Sequence, residues 1–164
     1  MDLFVIRHAI AADAEPGQDD PSRELTDEGV RKFKQVVKGV RELGWAFDRV
    51  LTSPWERAVA TAALLDPVTD GPTIETDLLT EKPRAELLAL IAEASSPEDR
   101  RATAVVGHEP WLSELVAWLA FSDTRHSEAI ELKKGGIIWL DGTAVPGGMR
   151  MRAMLTPKIL RALR

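Results

Sequence analysis

Residues 3–6, "LFVI", are apolar at four successive positions and run directly into Arg7 and His8. A half-exposed strand would alternate apolar and polar residues, and a surface helix would interrupt the run within a turn. An unbroken short run therefore reads as a strand covered on both faces. Such strands belong to sheets with helices packed on either side, which is a strong constraint on what the rest of the chain can build. "RVLTSP" at 49–54 and "ATAVVGH" at 102–108 repeat the theme.

Between these runs lie longer segments of helical pattern. Val30, Phe33, Val36, Val37, Val40 and Leu43 fall at helical spacing, with Thr26 as N-cap and Gly44 as stop. Ser53 and Glu56 have the spacing of a capping box, and Pro54 suits a first turn, so a helix is expected to start at Ser53 and run through "RAVATAALL". "TIETDLL" is a weaker strand. "RAELLALIAEA", residues 84–94, and "WLSELVAWLAF", after Pro110, read as helices. "GGIIWLDG" and "GMRMRAML" read as a late strand pair, followed by a short helix after Pro157. Strand–helix alternation predicts an α/β fold, with three layers (α/β/α) around a mostly parallel central sheet that includes at least one antiparallel strand. The 164 residues, without linker, repeat or low-complexity segment, fit a single domain, 1–164.

Composition narrows the chemistry. With no cysteine, thiolate metal sites, disulfides and a cysteine nucleophile are excluded. A net charge of -5 gives no bulk attraction to nucleic acid. The basic C-terminal residues Arg150, Arg152, Lys158, Arg161 and Arg164 read as a solvated face. No leader and no apolar stretch of spanning length is present, so no membrane association and a cytoplasmic location are expected.

In open α/β sheets, ligands bind beyond the carboxyl ends of the strands. The first strand delivers Arg7 and His8 to that edge. The second delivers Thr52, Ser53 and, one turn into its helix, Arg57. "TAVVGH" delivers His108 beside Glu109, and the weaker strand delivers Thr80 and Glu81. Two of the three histidines thus end apolar strands. Arg57 sits poorly at the positive end of a helix unless an anion lies beside it. Two arginines repel a metal cation but match phosphate oxygens. One histidine can attack phosphorus while the other, if protonated, donates to the phosphoryl oxygens. A nearby glutamate can supply a proton to the leaving group.

These segments resemble the histidine phosphatase superfamily, of phosphoglycerate mutase-like fold. "IRHA" is similar to its R-H-G signature, "LTSPWERAVATA" to its S-x-x-x-R-A-x-x-T-A segment, and "VVGHEP" to its second-histidine segment. The small size, "SRELTDEG" and "GHEPWLSEL" resemble the bacterial SixA-like phosphohistidine phosphatases. The resemblance implies His8 as a transiently phosphorylated nucleophile, Arg7 and Arg57 as phosphoryl ligands, and His108 as a donor to the transferring group. Ser53 is left with two roles, helix cap or phosphate contact. Glu81 stands where the superfamily's phosphomonoesterases carry a proton donor, or else is an exposed loop residue. Arg23 matches an arginine of the SixA-like pattern that binds substrate or lines the rim, or else is solvated. Ala9 replaces the signature glycine and is expected to narrow the pocket floor. Trp55 and Trp111 are expected to pack under loops near the site, and His126 to be solvated.

The expected function is a metal-independent, cofactor-free phosphatase acting on phosphohistidine in a protein such as a histidine phosphotransfer domain, in signal transduction. The short link "DPVTDGP" leaves no room for an insertion over the site, which suits a protein side chain better than an enclosed metabolite. The alternatives are a phosphomonoesterase on small phosphate esters or nucleotides, needing an acid such as Glu81, and a non-catalytic phosphate-sensing or protein-binding module. The role of the acidic loop, residues 13–20, and the oligomeric state are left open.

Overall fold

The computed structural model describes residues 1–93 and 101–163. Six strands form one sheet: β1 (Asp2–Arg7), β2 (Arg49–Thr52), β3 (Thr73–Glu75), β4 (Ala102–Gly107), β5 (Ile137–Gly142) and β6 (Met149–Leu155), in the order β3-β2-β4-β1-β5-β6. The pairings β3–β2, β2–β4 and β4–β1 are parallel. β5 pairs antiparallel with both β1 and β6, so it alone runs against the rest. The sheet is therefore mostly parallel, as expected, and the late strand pair is a hairpin.

β1 lies one strand in from the hairpin and is covered on both faces. Its side chains sort by parity, because successive strand residues point to opposite sides. Leu3 and Val5 join the core beneath α3 (Ala85–Glu93) and α4 (Trp111–Phe121), with Leu87, Ile91, Leu112 and Leu115. Phe4 and Ile6 join the core beneath α1 (Asp27–Glu42), α2 (Glu56–Leu64) and α5 (Pro157–Ala162), with Phe33, Val36, Ala62 and Leu160. Two helical layers sandwich the sheet, and the unbroken apolar run is the sequence's answer to having both. Buried Arg49 caps one of them: its Nη2 donates to the carbonyls of Leu90 and Ile91, 2.9 and 2.8 Å away, at the C-terminal end of α3.

Local rules explain most boundaries. Thr26 caps α1 by accepting the Gly29 N–H, and Gly44 follows that helix in the left-handed region, with φ 69°. A Cβ on Gly29 would lie 2.2 Å from the Ile10 carbonyl oxygen, so glycine lets α1 press against the segment just beyond His8. Two expectations need correction. α2 starts at Glu56 with Trp55 as N-cap and no side-chain cap bond, so Ser53 forms no capping box with Glu56. Only the first residues of "TIETDLL" form a strand, and Asp77–Leu79 turn as a 3₁₀ helix. The expected end of α3 at Ala94, and Arg164 of the basic tail, lie outside the described residues.

Candidate active site

The ends of the three central parallel strands converge. β1 leads into His8, β4 into His108, and β2 into Ser53 and then α2, whose first turn carries Arg57. Register explains the meeting of the histidines. β1 and β4 are parallel neighbours with Arg7 paired to Gly107, so the next residue of each strand emerges side by side. The two imidazole centroids lie 5.3 Å apart. His8, Arg57, His108 and Ser53 are all buried.

His8 Nδ1 lies 2.7 Å from its neighbour's carbonyl oxygen at Ala9. That oxygen can only accept, so Nδ1 carries the proton. Arg57 Nε points its N–H at His8 Nε2, 3.3 Å away, which leaves Nε2 with a lone pair. Burial, helped by the charges of Arg57, Arg7 and Lys134 and opposed by the Ala9 bond, pulls the ring's pKa down to about 4. His8 is thus a neutral imidazole whose Nε2 is nucleophilic and whose orientation is fixed from the opposite nitrogen.

Ser53 is the hydrogen-bond partner of His108. Its Oγ accepts the Trp55 N–H at 3.2 Å and lies 2.8 Å from His108 Nε2. A hydroxyl can donate its own proton to Nε2 or accept from it; with Ser53 as donor, the ring proton lies on Nδ1. Burial and the positive charge of Arg57 lower the His108 pKa to about 3. A protonated imidazolium is therefore not the resting donor; with Ser53 donating to Nε2, the neutral ring offers an N–H at Nδ1. Among the described residues the buried polar side-chain atoms without a partner are His108 Nδ1, Arg7 Nε and Glu114 Oε2. Two of the three belong to this cluster: Arg7 Nε is a donor, and His108 Nδ1 is one when Ser53 donates to Nε2. Unpaired buried donors are costly, and an oxyanion is a guest that accepts from such groups.

Arg7 is held by Nη1, which donates to the Leu132 carbonyl oxygen at 3.0 Å, and burial lowers its pKa. Trp55 and Trp111 border the cluster half-buried, at 4.5 and 6.3 Å from the His108 ring centroid. Ala9 does not shape the pocket floor as expected. Its side chain belongs to the core beneath α1, and its N–H donates to Thr61 Oγ1 at 3.0 Å. Thr61 also donates to the Arg57 carbonyl oxygen at 2.6 Å, which ties α2 to the segment after His8.

Three charged residues named from the sequence stand apart from the four central ones. Glu81 follows the 3₁₀ turn after β3 rather than a strand end, and its half-exposed carboxylate pairs with Arg84 at 2.6 Å. No hydrogen bond joins it to His8 or His108 among the described residues. Arg23 donates to the Ala12 carbonyl oxygen and to Asp20 Oδ1, both at 2.8 Å. Glu109 accepts from the N–H and hydroxyl of Ser113 and so holds the start of α4; burial raises its pKa. Asp20 is the residue that sequence reasoning missed. Its carboxylate and carbonyl oxygens accept from Arg57. The anion demanded by an arginine at the start of α2 is supplied by the chain itself. Among the described residues no cluster of three or more His, Cys, Asp or Glu could hold a metal ion. No described helix is long and apolar enough to cross a membrane.

Comparison with known proteins follows the same lines. A protein of Picosynechococcus sp., itself uncharacterized, is 37% identical over 142 residues, covering 85% of this chain and 84% of its own. Among solved structures, the protein histidine phosphatase SixA complexed with tungstate superposes with a TM-score of 0.76 at 24% identity, over 96% of this chain and 98% of that one. A candidate phosphohistidine phosphatase SixA from Nakamurella multipartitia gives 0.74 at 25% identity, over 95% of each chain. A phosphoserine phosphatase from Entamoeba histolytica, in complex with 3-phosphoglyceric acid, gives 0.73 at 16% identity, over 97% of this chain and 98% of that one. The sequence model of the histidine phosphatase superfamily (branch 1) matches residues 3–87, a span that holds Arg7, His8, Ser53 and Arg57. By that match, over more than half its length, the chain belongs to the histidine phosphatase superfamily.

Proposed function

We propose that the protein is a phosphohistidine phosphatase that works through a phosphorylated His8. The observation that carries this reading is the unprotonated Nε2 of His8, whose lone pair accepts the Nε–H of Arg57 beside the His108 ring. The Arg57 Nε–H passes from the Nε2 lone pair to a phosphoryl oxygen as Nε2 attacks phosphorus, and the phosphorus–nitrogen bond of the substrate breaks. The departing imidazole nitrogen takes a proton from solvent. Arg7, Arg57 and the Nδ1–H of His108 hold the equatorial oxygens as charge shifts between attacking and leaving atoms. Water then attacks phosphorus, the bond to Nε2 breaks, inorganic phosphate leaves, and the neutral ring is restored. Ser53 acts on His108 rather than on phosphate.

Two observations favour phosphohistidine over small esters. A protonated nitrogen is a good leaving group and needs little help from an acid, and Glu81 is engaged with Arg84. The link between α2 and β3 holds only a short 3₁₀ turn, Asp66–Val68, so no element is inserted there over the site. SixA, one of the fold's neighbours, is a protein histidine phosphatase and binds tungstate, a tetrahedral oxyanion. On this reading the protein acts in the cytoplasm on a phosphotransfer partner, without a metal.

The test uses a phosphorylated histidine phosphotransfer domain alongside phosphoramidate, an aryl phosphate and an alkyl phosphate. Phosphate release from the first two should persist in EDTA, pass through an acid-labile phosphoenzyme, and fall by at least about 10⁴-fold in His8→Ala. Retained turnover in that variant sinks the mechanism. Alkyl phosphate as the best substrate would move the assignment to a phosphomonoesterase. No phosphoenzyme from any donor would mark a phosphate-sensing module.

A further inference from the structure

Arg57 makes two kinds of contact from one rigid plane. Its Nε faces His8 Nε2 at 3.3 Å, while Nη1 donates to the Asp20 carbonyl oxygen at 2.7 Å and Nη2 to Asp20 Oδ2 at 2.9 Å. The Asp20 contacts use two donors on different nitrogens, so they fix the rotation of the guanidinium about its own axis as well as its distance. Below the plane, the Trp55 ring lies 4.9 Å from Arg57 Cζ and restricts tilting. Turning Nε away from His8 would break both Asp20 bonds at once.

Asp20 is itself anchored. Its second carboxylate oxygen accepts from Arg23 Nη1 at 2.8 Å, and Arg23 Nε grips the Ala12 carbonyl oxygen at 2.8 Å. Pro21 follows within the 3₁₀ turn Asp20–Ser22 and narrows the backbone there. The loop thus has one staple at its base and presents one carboxylate to the site. That carboxylate sits between two guanidinium groups, so the trio keeps a net positive charge and still attracts a phosphoryl dianion.

We propose that Asp20 is a positioning residue for the phosphoryl transfer, setting the edge of Arg57 that faces His8 and its phosphoryl group. The inference rests on the assignment of His8 as nucleophile and Arg57 as phosphoryl ligand. Arg23 serves the same end one contact further out, so its task is to hold Asp20 rather than to bind substrate. An opposite arrangement, in which Asp20 competes with the phosphoryl group for Arg57, makes the opposite predictions.

The experiment measures the rate of His8 phosphorylation by phosphoramidate, the split between kcat and KM, and inhibition by vanadate. Wild type, Asp20→Ala, Asp20→Asn and Arg23→Ala are compared, with folding checked by circular dichroism. Asp20→Ala should lower the phosphorylation rate about tenfold to a hundredfold, chiefly in kcat, because the ligand is misaligned rather than removed. Asp20→Asn keeps an oxygen for Nη2 but turns its N–H₂ toward Arg23 in place of an acceptor, so it should recover only partly, to about the level of Arg23→Ala. Arg23→Ala should fall between wild type and Asp20→Ala. Wild-type phosphorylation in folded Asp20→Ala overturns the proposal. So does tighter vanadate binding with faster turnover, which would mark Asp20 as a competitor. Absence of phosphoenzyme in wild type would instead strike the assignment of His8, which separates the two failures.

Discussion

β1 and β4 on one side, and β3 on the other, end at the same edge of the sheet but deliver different things. The two central strands are buried, parallel and in register, and the residue after each is a buried histidine. β3 is a three-residue edge strand with every residue exposed, and a 3₁₀ turn separates it from Glu81. The buried strands transmit position because both helical layers hold them. The edge strand leaves its carboxylate among solvent-exposed charges. Placement at a strand's carboxyl end therefore confers a role only where the strand is itself fixed.

If the central pair does the chemistry, His108 should matter most after the nucleophile. His108→Ala removes the Nδ1–H donor and should cut phosphoenzyme formation about 10²- to 10³-fold, as loss of an oxyanion donor does. A rapid-quench measurement with phosphoramidate reads this directly. Ser53→Ala tests the more subtle step. Without the hydroxyl on Nε2 the ring is free to move its proton, and the rate should drop about tenfold. A Ser53→Ala variant at wild-type rate would show that the tautomer is fixed by something else.

The central pair was also the legible part. The four-residue apolar run, its repetition at "ATAVV", and the histidine after each are visible without coordinates, as is α4 from Trp111 to Phe121. What could not be read depends on contacts between distant segments. Asp20 meets Arg57 across 37 positions, with no periodicity to announce it. Ser53 matched a capping pattern, yet the helix starts later and its hydroxyl goes to His108, 55 residues on. The Ala9 methyl enters the core because α1 closes over it through Gly29, a close approach that only packing reveals.

Burial of the pair carries a pH signature. His8 and His108 are lowered to about 4 and about 3, whereas unfolded histidine titrates near 6.5. Between those limits the unfolded chain binds more protons, so stability rises with pH. Both contributions are complete above about pH 6.5 and are lost as pH falls toward 4. Urea unfolding at about pH 7 and about pH 5 should therefore show a drop, part of which disappears in His8→Ala and His108→Ala. NMR titration of the ring protons should find both imidazoles neutral at about pH 5.5. Midpoints near 6.5 would mean that the rings are wetter than the buried strand ends imply.

The smallest expected effect lies at the edge strand. Glu81→Gln removes the charge that pairs with Arg84 and leaves His8, Arg57 and His108 untouched. An exposed pair of this kind contributes little to stability, so the melting temperature should barely move. Turnover of phosphoramidate should stay within about twofold of wild type, since a nitrogen leaving group draws its proton from solvent. The same variant assayed on an alkyl phosphate gives the sharper contrast. If wild type hydrolyses that ester briskly and Glu81→Gln loses it by about a hundredfold, the loop must swing inward when substrate binds. The edge would then be a moving donor rather than a solvated flank, and the difference between buried and edge strands would be one of timing, not of role.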